Sequence, residues 1–386
     1  MTHGEASGSS LRILTDSQRL FPIGGIEVGT LHDVLALRQR GHDVAVAYEQ
    51  DGDDRAVYRE AGVDLLGPYS FAFEPRRALT GVASFLPAAR AVQRYRPDVL
   101  WLNRFEHIVW AQAVSRWARL RSRPIVCHLH HVPNYDRVRL LGTGVETFVA
   151  VSEHMRDVWV DRGLPSEKVV VVHNAVVPER YPMGGDAERT AARAALGLPQ
   201  DRPIVLYYGL LSTHKGADVL ARAFRRLPPE ALLVMVGADV QPEDTGVVRA
   251  ALAELPPGSV RTFGNQRDVV PFLHAADVVA FPTQLPEAFG RVAVEAMATG
   301  RPVVASRIGA VPEVLGAEMS DLLVDAADEA AWAQILGSRL HWRTEDPDLG
   351  ARCAALVDRR FRFSGHIDAL ERVLIDAARS RPRVVA

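Results

Sequence analysis

The chain alternates, nearly from end to end, between short continuous apolar runs and amphipathic stretches of helical period. The runs include "LRILTD" at 11–16, "DVAVAYE" at 43–49, "PIVCHLHHV" at 124–132, "TFVAVS" at 147–152 and "VVVVHNAV" at 169–176. A strand with one wet face alternates apolar and polar residues, whereas a strand covered on both faces is apolar throughout. Strands of the second kind, joined by helices, predict an α/β protein built on parallel sheets. Between them, "IEVGTLHDVLALRQRGH" reads as a helix with Val28, Leu31, Leu35 and Leu37 mostly on one face, ended by Arg38, Arg40 and Gly41. Pro97 separates the helix of "FLPAARAVQRY" from the strand of "DVLWLN".

A chain of 386 residues exceeds one ordinary core. Composition changes at 178–202, which is rich in glycine, proline and polar residues, and the alternation then restarts with "PIVLYYG", "GADVLARAFRRL" and "ALLVMVG". Further strands are expected at "SVRTFG", "DVVAFPT", "PVVAS" and "DLLVD", followed by two amphipathic helices. The expected organisation is a flexible tail at 1–10, a first domain at 11–180, and a second domain at 181–364. A last helix, about 365–386, is expected to complete the first domain. Two such domains place ligands in a cleft at the carboxyl ends of their strands.

Charge and composition narrow the function. The formal net charge is −2 with both signs interspersed, so there is no basic field for nucleic acid. Two distant cysteines, Cys127 and Cys353, form no disulfide framework and fit a reducing compartment. With no signal-peptide core and no apolar run near 20 residues, a cytoplasmic location is expected. Arg76, Arg77, Arg90, Arg94 and Arg96 surround an amphipathic stretch that could rest on anionic lipid. Its apolar positions equally suit a core, so peripheral membrane contact is not favoured.

Several short motifs carry chemistry. Gly24 and Gly25 stand between a strand and a helix N-terminus, where glycine admits close approach of a phosphate and the helix end favours an anion. A plain strand–helix turn asks for the same residues. Lys215 in "THKG" follows a strand at the head of a helix and could neutralise a departing diphosphate, or be a solvated lysine. Glu287 and Glu295 stand in "PEAFGRVAVEAMATGRPVVAS". Eight residues of helix rise about 12 Å, a span that suits a nucleotide-sugar. Ala288, Phe289 and Gly290 would aim backbone N–H groups from the helix start. A glycosidase acid–base pair is rejected, because both carboxylates belong to one loop–helix unit. His128 and His130 share a strand face, but no third ligand supports a metal site. "DGD" at 51–53 reads as a solvated turn.

The motifs run in the order "GGIE", His130, "VAVSEHM", "VVVVHNAV", "GLLSTHKGADVL", "MVG" and "PEAFGRVAVEAMATGRPVVASRIGAVPEV". Over about residues 11–375 this resembles the retaining glycosyltransferases of family four. Their GT-B fold sets two Rossmann-like, doubly wound parallel-sheet domains facing across a cleft. The resemblance implies transfer of a hexosyl-type sugar from a nucleoside-diphosphate donor, UDP rather than GDP, to a hydroxyl of a small polar acceptor such as an aminocyclitol. It implies no cofactor and no metal. His130 would work near the anomeric carbon, Glu287 on a donor-sugar hydroxyl, Glu295 on the ribose and Lys215 on the diphosphate. Two departures stand out: Leu210 replaces the usual arginine, with His214 or Arg291 as candidate substitutes, and Asn174-Ala175 replaces Asn-Gly. Alternatives are a lipid or polysaccharide acceptor, a same-fold phosphorylase or epimerase, and a non-catalytic binding subunit.

Overall fold

A computed structural model describes residues 10–21, 24–73, 84–120, 123–133, 137–238 and 242–380. The chain divides into two compact units, Met1–Val172 with Ser364–Ala386, and His173–Phe363.

The first unit is built on a seven-stranded sheet in the order β3-β2-β1-β4-β5-β6-β7. The strands are β1 (Arg12–Arg19), β2 (Asp43–Gln50), β3 (Asp64–Leu66), β4 (Val99–Leu102), β5 (Ile125–Leu129), β6 (Thr147–Ala150) and β7 (Val169–Val171). Every pairing is parallel. All residues of β4 and β5 are buried, which is why β4 is apolar throughout and β5 is apolar but for His128. The order reverses at β1, so the carboxyl ends of β1 and β4 open a crevice where the chain has no crossing connection.

The second unit carries a six-stranded parallel sheet in the order β10-β9-β8-β11-β12-β13. Its strands are β8 (Ile204–Tyr208), β9 (Leu232–Val236), β10 (Val260–Phe263), β11 (Val278–Phe281), β12 (Val303–Ser306) and β13 (Leu323–Val324). The switch point is β8. A buried polar knot ties this sheet's helices to it: Asp277 accepts from Arg193 at 2.7 Å, Arg189 at 3.0 Å and the Ile204 amide at 2.8 Å. Paired in this way, the charges remain hydrogen-bonded despite burial.

Helix Gly25–Gln39 buries Leu31, Val34 and Leu37, but also Glu27 and Asp33. In helix Leu86–Tyr95, Ala88, Ala89, Val92 and Tyr95 are buried while Arg90 and Arg94 are exposed. The apolar stripe therefore faces the core; Arg76 and Arg77 lie outside the described residues. Helix Glu153–Asp161 is capped by Ser152, whose Oγ accepts from the Met155 amide at 3.0 Å. Among the described residues, no helix is long and apolar enough to cross a membrane.

After β13 the sequence predicts two helices; the structure has four, Glu329–Arg339, Trp342–Glu345, Leu349–Arg360 and Phe363–Arg379. Asp346 precedes Pro347, a pairing that disfavours helix and breaks the third from the second. Helix Phe363–Arg379 places Leu370, Leu374 and Ala377 in the core of the first unit with Leu11, Ile13, Val34 and Val44. Its polar side is fastened as well. Arg40 donates to Glu371 at 2.5 Å and to Asp368 at 2.6 Å. His42 Nδ1 accepts the Leu11 amide at 3.1 Å, so its Nε2 is the nitrogen that donates to Glu371 at 2.7 Å.

Candidate active site

In the second unit the turn after β8 leads into helix Ala217–Phe224 through Lys215 and Gly216. Gly216 has φ +69°, and a β-carbon there would overlap the Pro282 carbonyl just past β11. The close approach brings Lys215 to the loop that holds Glu287, and Lys215 Nζ donates to Glu287 Oε1. Thr283 Oγ1 lies 3.1 Å from the same oxygen. The Glu287 backbone is fixed in turn: its carbonyl accepts the Ala310 amide at 3.0 Å, beside Gly309, where a side chain would meet the Glu287 backbone. The Lys215 side chain is 37% exposed and that of Glu287 19%. A pair so open to water is worth about 1 kcal/mol or less, so an anionic ligand can draw Lys215 away at small cost.

The helix that carries Glu295 begins at Arg291, after Gly290 at φ +96°. Glu287 therefore lies in the preceding loop, and the distance between the carboxylates is not set by eight helical residues. Glu295 is buried on the inner side of helix Arg291–Ala298. Arg291 Nη2 donates to its Oε1 at 3.0 Å, and Tyr208 Oη lies 3.1 Å from its Oε2. The Glu295 charge also acts on Tyr181. Burial, reinforced by the Glu295 charge, raises the pKa of both tyrosines, which keeps them as donors. Burial works most strongly against the Arg291 charge, but Glu295 together with Tyr181 and Tyr208 outweighs it and the pKa rises. Phe289 is buried and packs edge-on against Phe361 at 5.4 Å, so only its backbone can serve a ligand. Leu210 turns its side chain outward, 46% exposed. Of the candidate substitutes for the missing arginine, Arg291 is engaged by Glu295 and His214 is exposed.

Beside β9 and β10 lies a cavity of about 410 Å³ lined by Leu211, Gly237, Thr245, Phe263, Gly264 and Asn265.

In the first unit, Gly24 stands at the N-cap of helix Gly25–Gln39 with φ +94°. His130 follows β5, its ring centroid 4.3 Å from that of His128. Both ring nitrogens of His128 are buried without a hydrogen-bond partner among the described residues. Burial first, then the neighbouring His130, pushes the His128 pKa well down, so the ring is neutral. Among the described residues, no three His, Cys, Asp or Glu side chains are grouped to hold a metal.

The carboxyl ends of β1, β2 and β4 border a second cavity, of about 500 Å³. Its rim includes Gln18, Glu49, Arg104 and His107, with Phe71 and Phe105 as aromatic walls. His107 Nδ1 lies 2.7 Å from the buried Asp16 Oδ2, and Asp16 Oδ1 accepts the Asn103 amide at 2.8 Å. Sequence reasoning did not single out Asp16, His107, Tyr181, Tyr208 or Thr283. Asp16 closes the apolar run within β1, a position where a buried carboxylate is a signal. Nothing local marks Tyr208, whose partner Glu295 is 87 residues away.

Residues 23–180 match the family described as Glycosyltransferase Family 4, and residues 188–349 match Glycosyl transferases group 1. A D-inositol 3-phosphate glycosyltransferase of Xylanimonas cellulosilytica is 36% identical over 401 residues, covering 93% of each chain. The enzyme of that name from Mycolicibacterium smegmatis is 33% identical over 66% of this chain and 57% of its own. Among solved structures, Anabaena HepE in complex with UDP-glucose superposes with a TM-score of 0.80 at 22% identity, covering 94% of this chain and 99% of that one. A glycosyltransferase from Rickettsia africae reaches 0.84 at 18% identity, covering 96% and 100%. The two parallel-sheet units are those of the GT-B fold, and the chain belongs to the glycosyltransferases of family four.

Proposed function

We propose that the chain transfers a hexosyl group, with retention, from a UDP-sugar to a hydroxyl of a small polar acceptor in the cytoplasm. The second unit would hold the donor and the first would read the acceptor. The observation that carries this is the meeting of Lys215 and Glu287 at the switch point of the second sheet, with Glu295 on the following helix. A diphosphate would displace Glu287 from Lys215, leaving the ammonium to balance the leaving group while Glu287 turns to a sugar hydroxyl. Backbone N–H groups of Ala288, Phe289 and Gly290 lead into the helix start and add donors for anionic oxygens. Glu295 would accept the ribose hydroxyls, steadied by Arg291, Tyr208 and Tyr181. The cavity beside Leu211 gives room for the base.

In this scheme the acceptor hydroxyl attacks on the face from which the diphosphate departs, and the leaving phosphate oxygen takes its proton. The side chains position and stabilise rather than abstract. HepE, solved with UDP and with UDP-glucose, and the relatives named for an inositol phosphate acceptor support the donor and acceptor classes. A thermal-shift panel of nucleotides and nucleotide-sugars tests it, since a ligand at 100 times its Kd stabilises by about 2.7 kcal/mol. UDP and a UDP-hexose should raise the melting temperature above GDP analogues. Lys215→Ala should lower kcat about 100-fold or more and abolish the shift. Unchanged turnover in that variant would refute the diphosphate assignment.

A further inference from the structure

The cavity of the first unit has a charge pattern that the donor site does not account for. Glu49 and Gln18 lie on adjacent strands, at the carboxyl ends of β2 and β1, between the register pairs Ser17–Tyr48 and Arg19–Gln50. Both are half-buried, and neither makes a hydrogen bond or ion pair among the described residues. A half-buried carboxylate with no partner is an unfilled position for a cation. The described arginine on the rim, Arg104, is already matched: its Nη2 lies 2.5 Å from Glu27 Oε1, and the Glu27 side chain is only 8% exposed. A second rim carboxylate, Glu106, stands 3.4 Å from His131. Asp16 holds Nδ1 of His107, which leaves Nε2 as the ring nitrogen for a ligand hydroxyl. The His107 ring is itself packed on Phe71 at 4.5 Å and cannot swing away. A phosphate entering this space meets Glu49 without an uncommitted described cation; an ammonium meets its complement.

We infer that the cavity at Glu49 and His107 selects a polyhydroxylated acceptor ring bearing a protonated amine and disfavours a phosphorylated one. The inference rests on the reading of the first unit as the acceptor domain, and it sets this chain apart from relatives named for an inositol phosphate. Glu49 takes the ammonium, His107 Nε2 orients a hydroxyl, and Phe71 and Phe105 cover the faces of the ring. The volume fits one or two such rings.

The test uses the full chain with the UDP-sugar that shifts its melting temperature. Three acceptors are compared: an aminocyclitol, its N-acetylated form, and an inositol monophosphate. Wild type should use the free amine at least tenfold better in kcat/KM than the N-acetylated form, with the phosphate poorest. Glu49→Gln should raise KM for the amine about tenfold, leave the N-acetylated form within twofold, and keep the donor-induced thermal shift. Equal losses for both forms, or the phosphate as best acceptor, would overturn the inference. So would donor hydrolysis with no transfer to any of the three, while leaving the donor assignment standing. If no nucleotide-sugar shifts the melting temperature, the glycosyl-transfer reading fails and takes this inference with it.

Discussion

At the residue scale, the site depends on a few backbone approaches that only particular side chains permit. Lys215 reaches Glu287 because Gly216 lets two loops touch where a β-carbon would strike the Pro282 carbonyl. The glutamates were legible as a spaced pair, and the lysine as a cation at a helix head, because their neighbours in sequence set that context. Their partners were not. Tyr208, Tyr181 and Thr283 act through contacts that no local pattern encodes. His128 illustrates the same limit: it reads as one of three histidines, but its burial without a hydrogen-bond partner among the described residues is a tertiary fact. It also makes a pH prediction. Its folded pKa is depressed, so above its unfolded value of about 6.5 the ring is neutral in both states and makes stability no function of pH. As pH falls below that value the unfolded chain takes up the proton first, and stability drops by up to about 1.4 kcal/mol per pH unit until the folded pKa is reached. Denaturant titrations at pH 7.5 and 5.5 should show His128→Leu losing about 1 kcal/mol less than wild type over that interval. Parallel pH profiles would discount the burial argument.

At the element scale, the sequence was most informative where burial is two-sided. The central strands are apolar because both sheet faces are covered, and each appears where the apolar run predicts it. The helices after β13 were harder, since their amphipathic pattern continues through Asp346-Pro347 and hides the interruptions. The loop–helix junction at Gly290 was harder still, because helical period runs straight through a glycine whose left-handed backbone starts the helix later. Ser152 shows an element end that is both readable and testable. Its hydroxyl serves the Met155 amide within a fully buried setting. Ser152→Ala should therefore cost about 1–2 kcal/mol in urea unfolding with an unchanged m-value. A loss within experimental error would mean that another group caps this helix.

At the scale of the whole molecule, the last helix belongs to the first unit although the second unit separates it in sequence. Leu370 is fully buried in the first unit's core, and Arg40 and His42 fasten the helix from outside. Leu370→Ala should lower stability by about 2–5 kcal/mol while the UDP-induced thermal shift persists, because the proposed donor residues are in the other unit. Loss of donor binding with intact stability would contradict that division. The sequence by itself determined the α/β class, the two successive parallel-sheet units and the order of motifs, since strand burial, helix period and glycine turns act over a few residues. Tertiary structure alone decided that Lys215 meets Glu287, that Glu295 is held by Arg291 and Tyr208, and that Glu49 faces a cavity without a partner among the described residues. The physical reason is range. A hydrogen bond or ion pair acts over a few ångströms, and its two members stand 72 residues apart in one case and 87 in another. Only the folded sheet brings them within reach.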